Sequence, residues 1–480
     1  MVTSLSLLHL HGQEIQAVLE SVRPDQLQQL IVVDIESQLA AALPRFSSLT
    51  TLSVSQSSIG IQAVGVAMAL PHLLQLRRLD LCGCRRNPWR NTGVHVAGCA
   101  MHCCRYTIGE PYEEMPQGGP TAFLEVAYAA PGFSLLALLS GLRPGGVPAI
   151  ERLRLRHCVL EAATLWHCSM LTALTRLDIA DCGAAAGGWD AVMVALLSQA
   201  PLLSSLQVES CFADALPGSL ITHTGLRQLS LSDVETLPAG PYVASLQQLS
   251  LLDARLQQLP PALTAATALT CLEVQRVHYS ATPFSTAGMA ALLSRLPQLR
   301  ALQLAHCGLQ QLPVQGWPGW SVLQSLDLRS NSLTSLPAEL HQATALHHLN
   351  LSGNCQLRPT AEQLGALLSH LPLLQGLELS RVGLTELPDQ LPPGLRALDV
   401  SSNKLQSLPP GLTCQLLTSL TLCGNYGLNL SCAVMERLFA RMPRLSDLPG
   451  WVLFTSDDAL HYVKDVLRQR DSDSLPALSG

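Results

Sequence analysis

With 480 residues, 48% hydrophobic and only 13% charged, the chain carries ample apolar material for an extended core and does not have the composition of a disordered segment. A net charge of −6 leaves no basic footprint for nucleic acid. No apolar run reaches the ~18 residues of a membrane span, and the run at 191–203 is broken by Ser198, Gln199 and Pro201.

The N-terminal stretch MVTSLSLLHLHGQEIQ has no basic leader region and no cleavage site, so a cytoplasmic protein is expected. Weak repeats begin near Val2, Leu27 and Leu49, and a clear one at Leu76 (LRRLDLCGC). Residues 85–120 break the phase. It returns at Thr121, Ile150, Leu174 and Leu203, and continues at Leu226, Leu246, Leu269 and Leu299. From Leu323, Leu346, Leu374 and Leu395 the template LxxLxLxxNxLxxLP is clearest, and Leu417 opens the last full unit. The expected organisation is N-terminal repeats over 1–84, a Cys-rich insertion or loop over 85–120, and the main array over 121–444. A C-terminal cap with a helix follows over 445–470, then a disordered tail over 471–480.

Two unit lengths alternate. Short ones end in Leu-Pro, as at Leu259-Pro260, Leu312-Pro313, Leu336-Pro337 and Leu408-Pro409. Proline lacks a donor and fixes φ, so this return path is extended or made of single turns. Long units carry STAGMAALLSRLPQL and TAEQLGALLSHLPLL, whose apolar residues fall at helical spacing, with Ser285 or Thr286, and Thr360, as N-caps. Strands sit ~4.8 Å apart and packed helices ~8–10 Å. An array of such units therefore curves with its strands inside, and flattens where short units adjoin, near 226–268 and 395–416. At the C-terminus, Ser456 and the aspartates 457–458 start a helix with Leu460, Val463, Val466 and Leu467 on one stripe, and Arg468 and Arg470 favour its end. It is a cap for the last repeat or a docking helix for a partner.

Within each unit, side chains of LxL alternate, so Leu326 and Leu328 share one face and Asp327 stands on the other. No unit can bury its leucines alone, whereas stacked units share a continuous core. Asn331, Asn354, Asn403 and Asn425 stand where the chain leaves the strand, where a buried amide can bond backbone groups that no ladder satisfies. Cys84, Cys158, Cys182, Cys211 and Cys307 take the same position and are expected to be reduced, buried ladder residues. The pattern resembles the leucine-rich repeat family. The resemblance implies an α/β fold, a right-handed solenoid with a curved parallel sheet on its concave face and helices, extended or 3-10 segments on its convex face. Leu-Pro units look like those of plant intracellular Ras-group-related repeat proteins, and the longer ones like the ribonuclease-inhibitor type. Non-enzymatic binding of another protein is the implied role. A structural component of the cytoskeleton or ciliary axoneme, or a substrate-recognition subunit of a ubiquitin ligase, is the alternative. A monomer without cofactors is expected.

The residues between the core leucines define the exposed strand face. They run Asp80, Glu125, Arg154, Asp178, Gln207, Ser230, Ser250, Glu273, Gln303, Asp327, Asn350, Glu378, Asp399 and Thr421. This row is either a solvated face or a trough for a basic partner. One region combines aromatics with arginine, the residue types that dominate binding hot spots. It comprises Phe123 and Tyr128 beside Glu125, followed by Arg152, Arg154, Arg156 and His157. It is either an epitope or an exposed arginine-rich strand. The insertion holds Cys99, Cys103, Cys104, His95 and His102, whose spacing matches no zinc finger or ribbon. A surface loop, a translated intron and a metal site remain open for it. No GxSxG, HExxH, P-loop or dinucleotide motif occurs, and no catalysis is expected.

Overall fold

The computed structural model describes residues 4–8, 12–33, 42–56, 78–83, 122–127, 150–156, 159–160, 162, 169–184, 188–209, 211, 216–256, 259–276, 286–312, 317–428, 430–445, 463 and 466. Two compact units divide the chain, Met1–Ser230 and Leu231–Gly480.

In the first unit, strands β1 (Ser4–Leu8), β2 (Gln29–Val33), β3 (Thr51–Gln56), β4 (Arg78–Gly83), β5 (Ala122–Ala127) and β6 (Ile150–Arg156) follow in order. A short β7 (Val159–Leu160) pairs with β9 (Gly183–Ala184), and β8 (Arg176–Ala180) and β10 (Ser205–Glu209) complete the run. Each main strand pairs in parallel with the next, β6 with β8 and β8 with β10. Strand β4 pairs directly with β5, so the repeat phase resumes across the 85–120 segment, which lies outside the described residues. Helices Gly12–Ser21 and Gly188–Gln199 form return segments. The second carries the first part of the apolar run at 191–203, up to Gln199, and buries Val192, Met193, Ala195 and Leu196.

Strand β11 (Gln228–Ser232) holds the division. The second unit contains β12 (Gln248–Ala254), β13 (Cys271–Arg276), β14 (Ala301–Ala305), β15 (Ser325–Asp327), β16 (His348–Asn350), β17 (Gly376–Glu378), β18 (Ala397–Asp399) and β19 (Ser419–Thr421). All are parallel neighbours in sequence order. The register aligns Leu272, Leu302, Leu326, Leu349, Leu377, Leu398 and Leu420, and every one is buried.

Return segments follow the two unit lengths. After Leu259-Pro260 and Leu336-Pro337 the chain makes 3-10 turns at Pro261–Ala265 and Ala338–Gln342, with Pro260 and Pro337 at φ −60° and −58° as the residues before them. Long units carry helices Thr286–Leu293 and Ala361–Leu368. Thr360 caps the latter in a reciprocal box, its Oγ1 accepting from Gln363 N at 3.2 Å while Gln363 Oε1 accepts from Thr360 N at 3.1 Å. Ser285 lies outside the described residues. A helix at Cys432–Arg441 closes the last long unit over Met435, Leu438, Phe439 and Met442. Of the expected C-terminal helix, Val463 and Val466 are described; both are helical, and Val463 is buried.

The asparagine ladder binds successive repeats. Asn331 Nδ2 donates to Leu304 O (2.6 Å) and Leu328 O (2.9 Å), and its Oδ1 accepts from Cys307 N (3.0 Å) and Leu309 N (3.1 Å). Asn403 accepts from Val382, Gly383 and Leu384 N at 2.9–3.1 Å and donates to Leu379 and Val400 O. Cysteine keeps the donor half of this arrangement: Cys182 Sγ reaches Leu155 O and Ala180 O, and Cys307 Sγ reaches Val274 O and Ala305 O. Both are buried thiols in no disulfide, and Cys211 is a half-buried one. Cys84 and Cys158 lie outside the described residues.

Candidate protein-binding surface

In the first unit, pairing places Phe123 opposite Arg78 on one side and Arg152 on the other, and Arg152 opposite Arg176. The next row aligns Asp80, Glu125, Arg154 and Asp178, and Arg156 stands level with Ala127 and Ala180. The epitope residues proposed on β5 and β6 thus occupy adjacent positions, and the register adds Arg78 and Arg176. Reading the position two before each central residue would have found both. Tyr128 and His157 lie outside the described residues.

Asp178 is not an open member of this row. Only 8% of it is exposed, and its carboxylate lies between Arg176 Nε at 3.1 Å and Arg154 Nε at 3.4 Å. Two guanidiniums compensate its burial, so Asp178 ties Arg154 to Arg176 across the two strands.

In the second unit the register sets Ser250, Glu273, Gln303, Asp327, Asn350, Glu378, Asp399 and Thr421 in one line. Three of these have a local task. The side-chain oxygens of Asp327, Asn350 and Asp399 accept the backbone N–H two residues on, from Arg329 (2.9 Å), Ser352 (2.9 Å) and Ser401 (2.8 Å). These Asx turns end the strands. Glu273 and Glu378 instead accept from neighbouring side chains, Ser250 Oγ at 2.8 Å and Asn350 Nδ2 at 2.7 Å.

Positive charge beside this line comes from Arg329, whose Nη1 is 3.4 Å from Asp327 Oδ2. It does not neutralise the row. Burial pushes the Asp327 carboxyl up, with Glu273 adding to the rise against the opposing Arg329 N–H and guanidinium. Burial also pushes Glu378 up, helped by Asp327 and Asp399 and opposed by Arg329. Both shifts are led by burial, and the neighbouring carboxylates of the line add to them. Among the described residues no group of three or more His, Cys, Asp or Glu side chains could hold a metal, and no helix is long and apolar enough to cross a membrane.

A leucine rich repeat family model matches residues 297–355. The chain is 29% identical over 153 residues to PH domain leucine-rich repeat protein phosphatase 1 of Rattus norvegicus, a match covering 31% of this chain and only 8% of that protein. Podocan-like protein 1 of Mus musculus is 28% identical over 319 residues, covering 57% of this chain and 56% of that one. Among solved structures, an LRR protein of Leptospira interrogans superposes with a TM-score of 0.50 at 16% identity, covering 92% of this chain and 99% of that chain. Stacked LxL strands in register, amide-bonded exits and these matches make the chain a leucine-rich repeat protein with an α/β solenoid fold.

Proposed function

We propose that the chain is a non-enzymatic protein-binding module, and that the strand face of its second unit takes a basic segment of a partner protein. One observation carries this reading: Asp327 and Glu378 sit in a registered line with Glu273 and Asp399, where burial raises the proton affinity of both and the neighbouring carboxylates add to it, with Arg329 beside them as the counter-charge. Lysine or arginine from a partner would lower that cost, so binding and charge are coupled. Glu273 and Glu378 are the contact residues, because Asp327 and Asp399 are partly committed to their own backbone. The arginines around Phe123 form a second candidate epitope on the first unit, favoured by their adjacent register positions.

Cys182 and Cys307, buried thiols in no disulfide, support a reducing, cytoplasmic setting. The function is tested by affinity capture from native extract with three baits: wild type, E273Q/E378Q and F123A/R154A/R156A. The carboxylate pair should lose the partner without any fall in melting temperature, and wild-type capture should weaken steeply with salt, because exposed charges are screened over ~8 Å at physiological ionic strength. Equal capture by E273Q/E378Q would remove the acidic line. Loss with the arginine triple alone would move the site to the first unit.

A further inference from the structure

His341 and His370 belong to successive return segments of the second unit, one in the 3-10 turn Ala338–Gln342 and the other just beyond helix Ala361–Leu368. Both are exposed, and their ring centres lie 5.8 Å apart at an interplanar angle of 69°. Their Nδ1 atoms contact backbone carbonyls, His341 to Ala338 O at 2.7 Å and His370 to Ala366 O at 2.9 Å. A carbonyl oxygen can only accept, so each Nδ1 carries the hydrogen. Ser369 Oγ, 3.3 Å from His370 Nδ1, donates its own hydrogen to Ala366 O at 2.8 Å and thus fits as a second acceptor. With Nδ1 protonated in both neutral rings, each Nε2 keeps its lone pair, and neither Nε2 has a hydrogen-bond partner among the described residues.

This is the arrangement of metal-ligating histidine, in which one nitrogen donates to a carbonyl and fixes the other as the ligand. With zinc–nitrogen bonds of about 2.0–2.1 Å, imidazoles sharing one ion place their ring centres roughly 5–6.4 Å apart. The observed spacing falls inside that range. Both rings also lie at the C-terminal ends of helical turns, where the backbone favours a cation. We propose that Nε2 of His341 and His370 bind one borderline divalent transition-metal ion, such as Zn2+ or Ni2+, which water completes and which clamps two successive repeats. Hard ions such as Mg2+, which prefer oxygen ligands, should not bind there.

The test is thermal unfolding and titration calorimetry of the full chain with Zn2+, Ni2+ and Mg2+. Because the ion is held by the folded arrangement, Zn2+ and Ni2+ should raise the melting temperature saturably and Mg2+ should not. H341A and H370A should each weaken that response by at least the roughly 10–100-fold that loss of an outer-shell partner costs. The double variant should lose no more than either single one, since the two rings share an ion. H348A, which removes an exposed histidine on strand β16, should respond as wild type. An unchanged Zn2+ response in H341A and H370A, or separate additive losses, would overturn the site. The site lies on return segments, so its failure would leave the partner-binding result untouched.

Discussion

Asn403 illustrates how much one side chain can hold. Three backbone N–H groups of the preceding repeat converge on its Oδ1, and its Nδ2 serves carbonyls of both repeats. Replacing it with alanine strands several buried groups, each costing about 1–3 kcal/mol less whatever water recovers. Asn403→Ala should therefore destabilise by roughly 2–4 kcal/mol in urea unfolding. The residue before each ladder position is equally constrained. Ser330, Arg381 and Ser402 have φ of 55°, 54° and 52°, while Gly353 and Gly424 have 76° and 73°. A Cβ at Gly353 would stand 3.0–3.1 Å from Ser330 atoms, two of them backbone. Gly353→Ala should cost about 1–2 kcal/mol, whereas Arg381→Gly should be neutral or stabilising by the same measurement. Glu378 predicts a pH effect. Its folded carboxyl is raised above the ordinary value of 4.5, so the folded state binds more protons in the window just above it. Stability from this group is present below that window and is lost as pH rises through it. Glu378→Gln should raise the melting temperature near neutral pH and flatten its pH dependence.

At the scale of the element, the capping box is the clearest test. Thr360→Ala removes one half of the Thr360–Gln363 pair and should lower stability by about 1 kcal/mol, seen in thermal unfolding. Strands and helices differed in how legible they were. The LxL phase alone identified the strands, because a single-residue slip would turn every leucine out. Thr360 was readable as a cap because a threonine three residues before a glutamine opens an apolar run. The helix Cys432–Arg441 carried the same kind of signal, with Met435, Leu438, Phe439 and Met442 at helical spacing, yet the leucine template drew no attention to it. The Asx turns were legible only in part. Asp327 and Glu378 stand at equivalent points of the template on strands of equal length; the shorter Asp327 side chain reaches the N–H two residues on, whereas Glu378 accepts from Asn350 Nδ2 of the neighbouring strand, a partner that only the register supplies. The compensation of Asp178 likewise needs Arg154 from another repeat, 24 residues away in sequence.

For the molecule as a whole, stability is expected to be a sum of repeat and nearest-neighbour contributions, since each strand pairs with the repeats beside it. The two units differ in the charged residues their strands carry. The first gathers Arg78, Arg152, Arg154, Arg156 and Arg176 on neighbouring strands, and the second lines up Glu273, Asp327, Glu378 and Asp399. The central claim is that the carboxylate line of the second unit meets the partner. Carbodiimide footprinting of the chain, alone and with the captured partner, tests it most directly. Glu273 and Glu378 should lose labelling in the complex, while Glu362 and Glu386 on return segments keep theirs. Protection of Glu362 and Glu386 with Glu273 and Glu378 still fully labelled would contradict it.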